Sequence, residues 1–205
     1  MAAREELHKT EVEGAFNPFV ITPEWLAETE IIKDRQAMVR PGVLGQEVAF
    51  AYEVLEWSVS PSALVVRSSE DNDDCGDIVA RVIERLPHTP MTLVTNGFSY
   101  LFERAQWEGC RVPLLGDLSY EGLTSESVAA VGWQGRFTRQ DGSLVVYLAY
   151  DEEHVFISLD YARPVRATSI RDRALFVANA ARQFRNDQAD SRAVVNRLAG
   201  RGLLP

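Results

Sequence analysis

Apolar and polar positions first fall into order at Glu47. Val48, Phe50, Tyr52 and Val54 alternate with Glu47, Ala49, Ala51 and Glu53, which predicts a half-buried strand over residues 47–59. Ser60-Pro61-Ser62 then turns the chain into a second strand, residues 63–68. Ile78, Val79, Val82, Ile83 and Leu86 recur at helical spacing, predicting a helix capped by Asp74 or Asp71 and ended by Pro87-His88-Thr89-Pro90. A strand returns over residues 91–102, with Asn96-Gly97 near its middle as a hairpin turn or bulge.

The second half repeats this order loosely. Strands over 127–139 and 143–150 flank Gln140-Asp141-Gly142, a hairpin signal because Asp-Gly tolerates positive φ. Residues 150–153 reverse the chain into a third strand, 154–161. A helix follows over 169–185, and Asp190 as N-cap opens a last short helix closed by Gly200 and Gly202. Before the first strand, Thr22-Pro23-Glu24-Trp25 reads as a cap, an N1 proline and a first helical turn, and Pro41 to Gly45 as a loop. Residues 1–15, with four glutamates, read as a flexible arm. The fold expected is α+β: a mostly antiparallel sheet of six or seven strands with helices packed on one side. It forms a single domain, 16–205, with the loop around Pro113, Gly116 and Gly122 dividing it into two loosely similar halves, 16–112 and 113–205.

Composition is that of a folded chain, with 46% hydrophobic and 25% charged residues. No apolar run approaches the roughly 20 residues of a membrane helix, and the first residues lack the apolar stretch of a signal peptide, so a cytoplasmic location without membrane contact is expected. Charge is distributed unevenly. Residues 163–201 hold nine arginines against three aspartates, a net +6, while residues 1–162 carry −15, together the −9 of the chain. On a helix of 100° per residue Arg171, Arg182 and Arg185 fall within about 60° of one another and form a narrow basic stripe. That stripe has three uses: pairing with the acidic body, docking a protein partner, or contacting nucleic-acid phosphates. The −15 of the remaining chain repels a polyanion and argues against the third.

Candidate chemistry is sparse. In the run from Glu70 to Asp77 an EF-hand loop begun at Asp71 would place Asp73 third and Gly76 sixth, but Cys75 fifth and Val82 twelfth, where oxygen ligands belong. The run is therefore read as a solvated loop that caps a helix. Cys75 and Cys110 are too far apart for a CxxC site and are read as free thiols. Three dispersed histidines do not make a zinc site, and neither a Walker loop nor a Gly-x-Ser-x-Gly elbow occurs. Gly132 and Gly135, inside a strand pattern, mark a bulge or a close approach. The adjacent Glu152 and Glu153 in a turn point apart. No catalytic, metal or cofactor-binding residues are assigned. The function expected is a non-catalytic cytoplasmic interaction or accessory subunit that binds a protein partner or itself, through its sheet edge or its basic C-terminal helix. The alternatives are a small enzyme with a site near Cys110 and His88, and a nucleic-acid-associated subunit using the Arg-rich C-terminal helices.

Overall fold

The computed structural model describes residues 5–33, 38–41, 47–70, 74–107, 131–150, 153–167 and 169–199. Asp71, Cys110, Pro113, Gly116, Gly122, Glu152, Gly200, Gly202 and most of the 41–45 loop lie outside them.

The described strands are β1 (Glu5–Gly14), β2 (Met38–Pro41), β3 (Val48–Tyr52), β4 (Leu55–Val59), β5 (Ala63–Ser68), β6 (Met91–Glu103), β7 (Val131–Thr138), β8 (Ser143–Tyr150) and β9 (His154–Pro164). The helices are α1 (Pro23–Glu28), α2 (Cys75–Arg85), α3 (Ile170–Ala181) and α4 (Phe184–Ala199). Among the described residues all nine strands form one sheet in the order β2-β3-β4-β5-β1-β6-β9-β8-β7, with every pairing antiparallel. The α+β class is as expected.

The strand count exceeds six or seven for three reasons. Residues 5–14, read as an arm, form β1 in the middle of the sheet, paired with β5 and β6. Their alternation of His8, Thr10 and Val12, all fully buried, with Lys9, Glu11 and Glu13 is a strand pattern whose inward residues are partly polar, and that polarity hid it. Residues 47–59 split into β3 and β4 at a two-residue turn, Glu53-Val54, between the paired Tyr52 and Leu55. Glu53 takes φ 52° there, a left-handed conformation without the usual Gly or Asn signal. Finally, β2 adds an outer strand.

The order is mirrored about the β1/β6 boundary: β1, β5, β4 and β3 on one side match β6, β9, β8 and β7 on the other. Each half is an inner strand, a three-stranded meander and a helix, α2 or α3. The topological division falls between α2 and β6, before the 112/113 boundary suggested by the sequence.

The four described helices lie on one face: α2, α3 and α4 pack against β1, β5, β6 and β9, and the segment that follows α1 meets Arg81 of α2 and Tyr52 of β3. Thr22 caps α1, Asp74 caps α2 and Ser169 caps α3, each side chain accepting from a backbone N–H in the first turn. At the mirror boundary α2 meets α3 so closely that a Cβ on Gly76 would strike the Ala181 carbonyl oxygen and the Phe184 side chain. Beneath them lie Phe50, Trp57, Leu64, Phe98, Phe102, Ile157, Val79, Ile83 and Phe184, all at most 2% exposed.

Candidate functional site

The three arginines of the expected stripe are divided. The helix expected over 169–185 ends at Ala181, and a new one, α4, begins at Phe184. Arg182 therefore caps α3 and reaches α2, with Nη1 2.6 Å from Glu84 Oε1 and Nε 3.4 Å from Asp77 Oδ1. Arg185 lies 3.3 Å from Asp74 and donates to Gln188 Oε1 at 3.0 Å. Arg171 is exposed at the start of α3. The geometry thus joins two of the stripe's arginines to carboxylates of α2 and its N-cap.

Asp190 is no N-cap. It lies inside α4, and its Oδ2 accepts from Arg139 Nη1 at 2.9 Å and Tyr161 Oη at 3.1 Å. It belongs to a polar network between α4 and the sheet. Arg163, 5% exposed, donates both Nη atoms to the two oxygens of Asp187 at 2.7 Å and its Nε to Asp141 at 2.6 Å. Burial opposes the Arg163 charge, but Asp187 and Asp141 together outweigh it and hold the guanidinium protonated. Asn96 donates Nδ2 to Asp187 at 2.9 Å and to the Ala180 and Ala181 carbonyls at 3.3 and 3.4 Å, and accepts from Thr10 at 2.9 Å. One amide thereby satisfies the last carbonyls of α3 and the first turn of α4.

A second arm of the network runs through His8, fully buried. Its Nδ1 is 3.4 Å from Gln188 Nε2 and its Nε2 is 3.5 Å from Glu6 Oε2. His8 and, beyond it, Arg192 at 3.2 Å hold the Glu6 carboxyl below the usual carboxylate range. Tyr100 Oη meets Ser191 Oγ at 2.5 Å, and burial pushes its pKa up to about 12. These groups attach α4 to the sheet.

The opposite face carries no described helix. In-register pairs place Glu56, Arg67, Lys9, Gly97, Asp160, Val145 and Arg136 in one row across seven strands. Gly97 is the floor of this row: a Cβ there would crowd Lys9 and Asp160. Asn96-Gly97 is therefore neither hairpin nor bulge but the midpoint of a continuous thirteen-residue strand. Burial raises the Asp160 carboxyl pKa above its ordinary value, with Lys9 Nζ 3.8 Å away offsetting it in part. Beside the row lie Leu7, Ser99, Ser158 and Tyr147, and beyond them Leu101 and Phe156. Leu7 and Tyr147 are 44% and 41% exposed, and Tyr147 meets Phe156 edge to face at 6.1 Å. Along β9 the open-face Ser158 and Asp160 alternate with the buried Ile157, Leu159 and Tyr161, a polar outer face legible in the sequence.

Of the remaining candidates, Cys75 is buried in the first turn of α2, and exposed His88 follows that helix's other end, about 15 Å or more away. That pair is not brought together, and Cys110 lies outside the described residues. His88 instead lines a depression of about 360 Å³ with Phe16, Val20, Leu86 and Pro90. Among the described residues no cluster of His, Cys, Asp and Glu is placed to hold a metal ion, and no helix is long and apolar enough to cross a membrane. No protein-family model matches the chain, and no curated protein is significantly similar to it.

Proposed function

We propose that this chain is a non-catalytic, cytoplasmic accessory protein that binds a protein partner on the helix-free face of its sheet. The observation that carries the reading is the patch of Leu7, Tyr147, Leu101 and Phe156 on that face, with two of its members more than 40% exposed. An apolar patch bordered by charged side chains is the usual anatomy of a protein interface. The bordering row of Glu56, Arg67, Lys9 and Asp160 supplies charges of both signs, which select partner and register more than they add affinity. On the other face, Arg182 and Arg185 are engaged with α2, so the basic stripe that would recommend nucleic acid is shortened.

Replacing Leu7 and Tyr147 together by glutamate tests the reading. The double variant is expected to lose capture of a partner from the native host while its circular dichroism stays unchanged, because both side chains point away from the core. Arg171→Glu is expected to keep capture. Capture retained by the double variant and lost with Arg171→Glu would reverse the assignment toward the helices.

A further inference from the structure

We propose that the outer edge of β7 is a self-recognition strand, which pairs antiparallel with β7 of a second copy about a dyad at Gly135. This rests on reading the chain as an interaction protein, but it uses the sheet's edge and not its open face.

Among the described residues the sheet ends at β2 and β7, and the two ends differ. β2 has four residues and finishes at Pro41, a short and proline-terminated edge of the kind that discourages pairing. β7 has eight residues, hydrogen-bonded to β8 on one side, with no proline, no acidic residue and a single charge, Arg136. Nothing in its sequence blunts it.

The hairpin fixes which backbone groups face outward. Arg139 and Gly142 exchange hydrogen bonds in both directions across the turn, at 2.9 and 3.4 Å. Hydrogen-bonded and non-hydrogen-bonded pairs alternate from there along an antiparallel ladder. Phe137, Gly135 and Trp133 therefore bond to β8, while Gly132, Gln134, Arg136 and Thr138 direct their N–H and C=O groups away from it.

The side chains around Gly135 are arranged almost as a palindrome. A dyad there sets Trp133 opposite Phe137 of the second copy, Gln134 opposite Arg136, and Gly132 opposite Thr138, each twice. All outward-directed groups of these four residues then fall in hydrogen-bonded pairs. Trp133 and Phe137 fall in the non-hydrogen-bonded pairs, where side chains approach most closely and aromatic pairs stabilise most. Within one chain these rings already lie side by side, with centroids 6.4 Å apart, and Phe137 is 49% exposed. The Trp133 ring crosses Gly135, where a Cβ would overlap it. Both glycines at the dyad leave space for the two tryptophan rings. Shifting the dyad to Arg136 would oppose like charges, and shifting it to Gln134 would set each tryptophan against a glycine. The dyad at Gly135 also leaves the helices of both copies on the same face of the joined sheet.

Light scattering coupled to size exclusion reads the outcome directly, since one chain is 22.9 kDa. The protein is expected to approach twice that mass at micromolar concentration. Gln134→Pro removes an outward N–H without touching the β8 ladder and is expected to yield monomer with the circular dichroism of the parent. Two further variants test the register and guard against a proline variant that does not fold. Gln134→Glu faces Arg136 of the second copy and is expected to tighten the dimer roughly 2- to 30-fold, the pair being counted twice by the dyad, whereas Gln134→Lys weakens it by a similar factor. A monomeric parent protein, or a dimer indifferent to Gln134→Glu and Gln134→Lys, would overturn the inference. A monomer that still captures a partner through Leu7 and Tyr147 would overturn it while leaving the proposed function standing.

Discussion

Asn96 stands at the centre of the longest strand and binds four groups from three elements. Its partner Asp187 is 3% exposed and accepts from Arg163 with both oxygens. Removing one member of a buried ion pair costs about 3–5 kcal/mol, and without Asp187 the buried Arg163 would keep only the more exposed Asp141 as a carboxylate partner. Asp187→Asn is accordingly expected to lower the melting temperature by about 10 °C, and a loss under 2 °C would show that the network contributes little. Asp160 behaves oppositely. Its folded pKa is raised, so at pH values below the ordinary carboxylate value of about 3.9 it is protonated in both states and costs nothing. As pH rises through its raised folded value the ionised carboxylate destabilises the fold. Asp160→Asn is expected to be as stable as the parent or slightly more so at pH 7, with the gap closing toward pH 3.5; thermal melts at both pH values check the sign. At this scale the sequence was least legible. Asn-Gly is the strongest short hairpin signal, yet here Asn96 is needed for its amide and Gly97 for the space it leaves between Lys9 and Asp160, requirements that arise only from neighbouring strands.

Helix α2 illustrates what was legible among the elements. Its apolar spacing, its cap at Asp74 and its end before Pro87 were all present in the local sequence, as were the Thr22 cap and the Asp141-Gly142 hairpin. The break between α3 and α4 was not. Residues 182–183 carry no glycine or proline, and the interruption is held by long-range contacts from Asn96, Asp77 and Glu84. Gly76 is a second case, a glycine in the first turn of α2 whose purpose appears only when α3 is placed against it. Gly76→Ala would gain helix propensity of at most about 1 kcal/mol, the value for a helix interior, but the new Cβ meets a backbone carbonyl that can move only with its helix. A net destabilisation of about 1–3 kcal/mol is expected. Chemical denaturation measures it, and a stabilised variant would mean that α2 and α3 separate freely.

Across the whole molecule the mirrored order of strands explains why sequence halves looked similar without repeating. Topology is shared by the two meanders, while the residues at matching positions serve different neighbours. It also explains the reversal of charge along the chain. The Arg-rich C-terminal part packs over the acidic part that precedes it: Arg182 and Arg185 meet acids of α2, Arg192 meets Glu6, and Arg163 meets Asp141 as well as Asp187. Charge asymmetry read from sequence therefore described an internal junction first. On the proposed reading, recognition falls to the sheet, whose open face carries no described helix. The most direct test of that assignment is site-specific photo-crosslinking in the native host, with the probe at Tyr147 on the helix-free face or at Arg171 on the helix face. The account predicts a discrete protein adduct from position 147 and none from position 171. An adduct confined to position 171, or to nucleic acid, would contradict it.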